Sequence, residues 1–277
     1  MEIDLQAVEH IADPAQRAQH AHQAAAQYQA LVSELYRIRR GALDELVSQG
    51  RTHAQIAELL GMTRGRVTQL LTSGPRPERI ILGSGRLVVA AGGKVEADKS
   101  EPGRVLSVEA LDAYDRLADL ARSLGLDVER DVVPPPGMVN LNRPNLVVLG
   151  SPRILPFVAQ VLDADESYGF ANDAHGWYLI DRTTDTIYRS PMDAGEPSDY
   201  AYIGRLPRPD GRGTFLYLAG IHAPGTAGAS YYLERHLAEL YGEVKNRRWS
   251  ALIRCQFDPD NRSNITAADL LTPIRHG

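Results

Sequence analysis

Arg64, Arg66, Thr68 and Gln69 crowd into six residues of a segment whose apolar positions are Val67, Leu70 and Leu71. On a helix that spacing sends the apolar set one way and Arg64, Gly65, Arg66, Thr68 and Gln69 the other. An arginine fork matches the two acceptors of guanine in the major groove, and a glutamine amide matches adenine. Threonine reaches a phosphate or a thymine methyl. Thr63, Thr52 and Arg51 stand just upstream and extend the same polar set toward a DNA backbone.

A second group of residues suggests anion chemistry. Three short apolar runs each end in glycine. They are Leu87 to Ala91 followed by Gly92, Gly93 and Lys94; Leu146 to Leu149 followed by Gly150, Ser151 and Arg153; and Leu216 to Ala219 followed by Gly220, His222, Gly225 and Thr226. Glycine allows backbone N–H groups to approach an anion closely, and a helix N-terminus adds partial positive charge. The three loops are expected to converge on a small, phosphorylated, nucleotide-like ligand. None of them matches a P-loop or a Gly-x-Gly-x-x-Gly fingerprint, and each by itself is also ordinary turn chemistry.

The elements that must position these groups follow from caps and periodicity. Thr52 caps a helix running to Leu60, with Ile56, Ala57 and Leu60 inward. Gly61 supplies the positive φ of a tight turn, Met62 plugs the core, and Thr63 caps the next helix. With Gly50 closing a preceding helix that offers Leu43, Leu46 and Val47, residues 41–72 are expected as three short helices. Asp13 and Pro14 mark the start of a long helix over 14–40, with Ala24, Tyr28, Leu31 and Leu35 on one stripe that offers a dimer seam. His20 and His22, two residues apart, cannot share a helix face as metal ligands.

Ser73 to Pro77 reads as a linker, which places a helical domain at 1–74 and a second domain at 79–277. Strands are expected at 79–82, 86–91, 127–133, 146–149, 177–181, 186–188, 200–204, 215–219 and 251–257, with helices at 107–124, 154–162 and 229–242. Strands alternating with helices imply an α/β layer with a largely parallel sheet, and 165–205 reads as an antiparallel insertion.

Candidates for catalysis are Asp199 with Tyr200, His222, and Glu234, but no spacing reproduces a triad, a metal set or paired glycosidase carboxylates. His175 beside Trp177 reads as an exposed turn, and His236 as a helix-surface residue. Asp258, Asp260 and Asn261 lack the glutamate that a calcium loop requires. Arg247, Arg248 and Trp249 form a small basic–aromatic cluster at a helix end.

The bulk numbers fit this division. The 277 residues exceed one typical domain, 43% are hydrophobic, and the net charge is −5. Between residues 37 and 79, by contrast, Arg37, Arg39, Arg40, Arg51, Arg64, Arg66, Arg76 and Arg79 face Asp44, Glu45, Glu58 and Glu78, a local net of +4. The single Cys255 excludes an internal disulfide and a multi-cysteine zinc site, and reads as an inert, half-buried strand residue. There is no basic start followed by an apolar core and no apolar run of spanning length, so a cytoplasmic protein without membrane contact is expected.

The stretch Ala54-Gln-Ile-Ala-Glu-Leu-Leu-Gly-Met-Thr-Arg-Gly-Arg-Val67 resembles the helix-turn-helix of sigma-factor region 4 and related bacterial regulators. The likeness covers about 30 residues and does not extend to a whole sigma factor, since no segment for gripping the −10 element is found. The loops at 149–153 and 220–228 give the second domain a likeness to Rossmann-like nucleotide sensor and effector domains, including nucleoside deoxyribosyltransferase relatives. Together they imply an α + α/β chain: an N-terminal helix-turn-helix domain, then a Rossmann-like domain with an antiparallel insertion.

The expected function is a transcriptional regulator that binds double-stranded DNA as a homodimer and senses a small anionic ligand, with no cofactor required. An enzyme of nucleoside or NAD glycosidic chemistry, and a protein-docking domain, are the alternatives for the second half.

Overall fold

A computed structural model describes residues 5–73, 76–96, 100–101 and 103–277. Gly74 and Pro75 of the expected linker, and the side chains of Leu31, Arg37 and Thr72, lie outside the described residues. The chain divides into two compact units, Met1–Pro77 and Glu78–Gly277.

The first unit is helical: α1 (Leu5–Glu9), α2 (Pro14–Ser48), α3 (His53–Leu59) and α4 (Arg64–Ser73). Asp13 caps α2 by accepting from the Ala15 N–H at 3.0 Å, with Pro14 at the first helical position. The break expected at Gly41 is absent, and α2 runs on to Ser48. A glycine inside a helix costs about 1 kcal/mol, which neighbouring good helix formers offset. Gly50 and Gly61 do take positive φ, +81° and +62°, and turn the chain between helices.

The core of this unit is Leu43, Ile56, Ala57, Val67 and Leu70, with Leu46 and Leu71 packed against it. Val47, Leu60 and Met62, expected inside, are exposed. The unit is too small to enclose more than one face of each short helix, and those three side chains fall off that face.

The second unit is a mixed α/β fold. In chain order it comprises β1 (Leu87–Gly92), a short ribbon of β2 (Lys94–Val95) and β3 (Arg104–Val105), α5 (Val108–Ser123), β4 (Val128–Val133), β5 (Leu146–Leu149) and α6 (Pro156–Leu162). It continues with β6 (Tyr168–Asp173), β7 (Gly176–Asp181), β8 (Thr186–Tyr188), β9 (Ser198–Pro207), β10 (Thr214–Gly220), α7 (Ala223–Val244), β11 (Trp249–Asp258), β12 (Asn261–Leu270) and β13 (Arg275–His276).

The main sheet runs β12-β11-β9-β10-β5-β1-β4, with β13 on β11. Strands β4, β1, β5 and β10 are mutually parallel; β9 is antiparallel to both β10 and β11, and β12 to β11. The inner parallel strands β1 and β5 are apolar throughout, as burial on both faces demands, whereas β4 at the edge carries Glu129, Arg130 and Asp131. On one face α5 and α7 cover Leu87, Val89, Ala91, Leu216 and Ile253. On the other, α6 and the separate β6-β7-β8 sheet cover Val88, Ala90, Val148 and Tyr217.

Four expectations change. The sheet is only half parallel. The antiparallel insertion is confined to β6-β7-β8, and β9 joins the main sheet because Ala201 and Ile203 on one face and Tyr202 on the other each meet a separate core. Residues 79–82 are a 3-10 turn, Pro77–Ile81, rather than a strand, and the last helix starts at Ala223 rather than 229.

Cys255 is fully buried rather than half-buried, and burial pushes its thiol up to about 12. It lies under Gly228 of α7, where an added Cβ would stand 2.5 Å from the sulfur. Gly228→Ala is expected to lower stability by about 1–2 kcal/mol, since the clash outweighs the gain in helix propensity. An aromatic disulfide reagent should then reach Cys255 faster in the variant than in the parent, where the thiol stays unreactive until the chain unfolds. Equal rates would show that α7 and β11 do not meet there.

Candidate functional site

The cleft is built at the carboxyl ends of parallel strands. Leaving β1, α5 leads to β4 on one side, whereas β5 lies on the other, so the strand order reverses between β1 and β5. In open α/β sheets a crevice forms at such a point. Gly92 ends β1, Gly150 follows β5, and Gly220 ends β10. A Cβ on Gly150 would lie 3.8 Å from the Gly92 amide nitrogen, so the loops touch through glycine.

The recess there is lined by Gly92, Lys94, Gly150, Ser151, Arg153, His222 and Thr226, and also by Ser107 and Ala110. Two of the residues expected from sequence do not line it. Gly93 donates its N–H to the Val133 carbonyl, and Gly225 packs down against Asp199. Ser107 and Ala110 were missed. Ser107 is the N-cap of α5, accepting from the Ala110 N–H at 3.2 Å, a pattern visible in sequence but not tied to the loops until the fold brings α5 over β1.

The charge pattern favours an anion. The N-termini of α5 and α7, helices of 16 and 22 residues, both face the recess, and Lys94 and Arg153 border it. The enclosed space is about 30 Å³, far below the roughly 300 Å³ of pockets that enclose a small molecule. A single anionic group is what this form of the site can hold, with the remainder of any ligand outside.

Beneath α7 lies Asp199, fully buried. Its carboxylate accepts from the Ser190 hydroxyl (2.6 Å) and from the N–H groups of Tyr200 (2.9 Å), His222 (2.9 Å) and Gly225 (3.0 Å). Burial pushes this carboxyl above the ordinary carboxylate range, and the four donors oppose that push. Gly220 closes the corner by donating to the Thr226 hydroxyl at 2.9 Å. Asp199 is therefore a scaffold for the loop. His222 reaches Asp193 through Nε2 at 2.7 Å, which fixes the ring at the rim.

The other sequence candidates have structural partners. Glu234 binds Arg116 at 2.6 Å between α7 and α5; His236 pairs with Glu239 and stacks on Tyr232. Tyr200 packs edge-on against Tyr188, and His175 is an exposed turn residue. Trp249 is buried, so it cannot act with Arg247 and Arg248 as a stacking patch. No group of three or more metal-ligating side chains occurs among the described residues.

A larger recess of about 200 Å³ lies among Asp165, Arg205, Arg248, Trp249 and His276. Asp165 and the terminal nitrogens of Arg205 are committed to the fold, whereas Arg205 Nε and the Trp249 indole N–H are buried with no hydrogen-bond partner among the described residues. Asp165 accepts from the Tyr202 hydroxyl at 2.7 Å, while Arg205 donates to the Ile80 and Ile81 carbonyls. Burial holds the Arg205 guanidinium down at about 10.

In the first unit, α3 and α4 meet across the turn at Gly61 and rest on α2. Thr52 forms a reciprocal capping box with Gln55, and the Thr63 hydroxyl accepts from the Arg66 N–H at 3.1 Å. Arg40 of α2 grips Asp44 at 2.9 Å and the Leu70 carbonyl at 3.3 Å, joining α2 to α4. Arg51, Thr52, Thr63, Arg64, Arg66, Thr68 and Gln69 are all exposed. Arg66 donates to the Gln69 side chain at 2.7 Å, and Thr68 bonds both His53 and the Arg64 carbonyl. His53, absent from the sequence candidates, thus joins α3 to the outward face of α4.

No protein-family model, no curated protein and no solved structure matches the chain. No helix among the described residues is long and apolar enough to cross a membrane.

Proposed function

We propose that this protein is a DNA-binding transcriptional regulator, with a helix-turn-helix head in Met1–Pro77 and a Rossmann-like ligand-sensing domain in Glu78–Gly277. The observation that carries the DNA reading is the outward face of α4. Val67 and Leu70 are buried while Arg64, Gly65, Arg66, Thr68 and Gln69 stand in solvent, on a helix capped at its start and supported from behind by α2 and α3. A helix that enters the major groove needs a polar, unobstructed side backed by a rigid support. The surrounding net of +4 supplies the attraction to phosphate that a chain of −5 lacks as a whole. Enrichment of bound sequences from a random duplex pool tests this reading. A recurring motif is expected, and a pool that stays random after repeated selection removes it.

The sensing domain would hold the phosphate or carboxylate end of a small metabolite at the three-loop recess. Ligand at 100 times its Kd adds about 2.7 kcal/mol, several degrees for a unit of this size. In thermal-shift titrations, inorganic phosphate and nucleoside monophosphates are expected to raise the melting temperature of the parent. An Arg153→Ala, Lys94→Ala variant should show little or none of that rise. A rise unchanged in the variant places the anion elsewhere.

The His222–Asp193 pair beside Ser151 favours a second reading, an enzyme acting on a nucleoside or dinucleotide, since an oriented imidazole is a common general base. Release of free base from nucleosides or NAD separates the two; a regulator leaves them intact.

A further inference from the structure

The middle of α2 carries a stripe of apolar side chains that stay exposed, although the Arg39 guanidinium lies over the Tyr36 ring at 4.8 Å. Tyr28, Val32, Leu35, Tyr36 and Ile38 are all exposed, Leu35 to 63%. Single exposed apolar side chains are ordinary, but five within eleven residues of one helix are not. Their spacing says what kind of surface fits. Ala21, Ala24, Tyr28, Leu31, Leu35, Ile38 and Ala42 succeed one another at intervals of three and four without a break. In heptad terms Ala21, Tyr28, Leu35 and Ala42 occupy a, and Ala24, Leu31 and Ile38 occupy d. A strict repeat of this kind keeps its seam facing only another helix with the same repeat.

We infer that α2 pairs with the α2 of a second copy as a parallel, in-register, two-stranded coiled coil over residues 21–42. The charges favour that orientation. Glu34 is at g and Arg39 at e, five residues apart, the separation at which g of one strand meets e of its parallel neighbour. Both seams of the dimer then pair opposite signs. The same positions oppose a four-stranded assembly, which would bury e and g, even though leucine at a and isoleucine at d would otherwise favour more strands.

The repeat also stops where the chain begins to cover its own helix. Beyond Ala42 the next d and a positions are Glu45 and Gln49. Leu43 and Leu46 pack on α3 and α4, and Arg40 bonds Leu70. At 100° per residue Arg40, Leu43 and Leu46 stand roughly 170°, 130° and 70° from the centre of the a/d seam. The α3–α4 pair therefore leaves the seam open to a second copy. The two heads would sit at the same end of the coil, related by its two-fold axis, whatever they bind.

The inference stands apart from the DNA and ligand readings, and its test uses neither. Light scattering on the full chain at tens of micromolar should give twice the 30.4 kDa chain mass, and Leu35→Glu with Ile38→Glu should give the single-chain mass. Because Cys255 is buried, a new surface cysteine reports alone. Under copper–phenanthroline oxidation, Leu35→Cys and Ile38→Cys should each cross-link two copies, while Ser33→Cys, at an outer f position, should not. A monomeric parent, a tetramer, or a dimer that survives the double glutamate change overturns the proposal. So does a dimer in which neither seam cysteine cross-links.

Discussion

Replacing Arg64 and Arg66 together by alanine is expected to weaken specific DNA binding by about 2–6 kcal/mol, at least roughly thirtyfold in affinity. Each arginine that grips a guanine through two bonds contributes about 1–3 kcal/mol of discrimination, and both side chains lie on the same exposed turn of α4. Neither change touches the core of the unit, so the fold should persist. Val67 and Leu70 keep their burial, and the Thr63 cap bonds the backbone N–H of Arg66, not its side chain.

Arg66 now bonds Gln69. On DNA that pair would either separate or present one composite edge, so Gln69→Ala should shift base preference as well as affinity. Fluorescence anisotropy with the selected duplex, repeated at several salt concentrations, is the measurement. A uniform loss with a shallower salt dependence would mean that the arginines hold phosphates. A loss of less than about threefold would mean that α4 is not the reading helix.

Replacing Asp199 by alanine is expected to destabilise the second unit by about 3–5 kcal/mol. The carboxylate is the common acceptor of four donors, three of them backbone N–H groups with no room to find water. Leaving such groups buried and unmatched costs about 1–3 kcal/mol each before relaxation. Gly225 is pressed against the same oxygen, so the first turn of α7 should loosen when it goes. Asp199→Asn should recover only part of the stability, because its amide NH2 faces donors where the second oxygen had accepted.

Chemical denaturation followed by tyrosine and tryptophan emission would read the change, since Trp249 sits in that core. A loss under about 1 kcal/mol would show that the loop is held by packing alone. If Asp199→Asn retained full stability while any nucleotide-cleaving activity vanished, the carboxylate would be catalytic instead of structural.

The two units differ in how much of them the sequence determines. In the first, the signals are local. Asp13 and Thr52 cap helices within three residues of themselves, Gly50 and Gly61 turn the chain where they stand, and the alternation of Val67 and Leu70 with arginine sorts α4 into two faces. Interactions that span three or four residues can be read along the chain because helix geometry brings those residues together whatever the rest does. What sequence could not settle there was how far a small core reaches. Met62 and Val47 are apolar and correctly spaced, yet they remain exposed.

In the second unit three short strands were legible as apolar runs ended by glycine, and their loops were expected to converge. The strand order that sets them side by side was not legible. Gly92, Gly150 and Gly220 come from positions up to 128 residues apart, and only the pairing of β1, β5 and β10 sets them side by side. Strand order follows from which faces bury which side chains, a property of the whole sheet with no signature in any one strand. For the same reason β9 looked like part of an insertion until Ala201, Tyr202 and Ile203 were seen to fill both cores. Asp199 read as a candidate acid in sequence. Tertiary structure alone turned it into a buried anchor, because the four donors that surround it arrive from the Ser190 turn, from its own strand and from the start of α7.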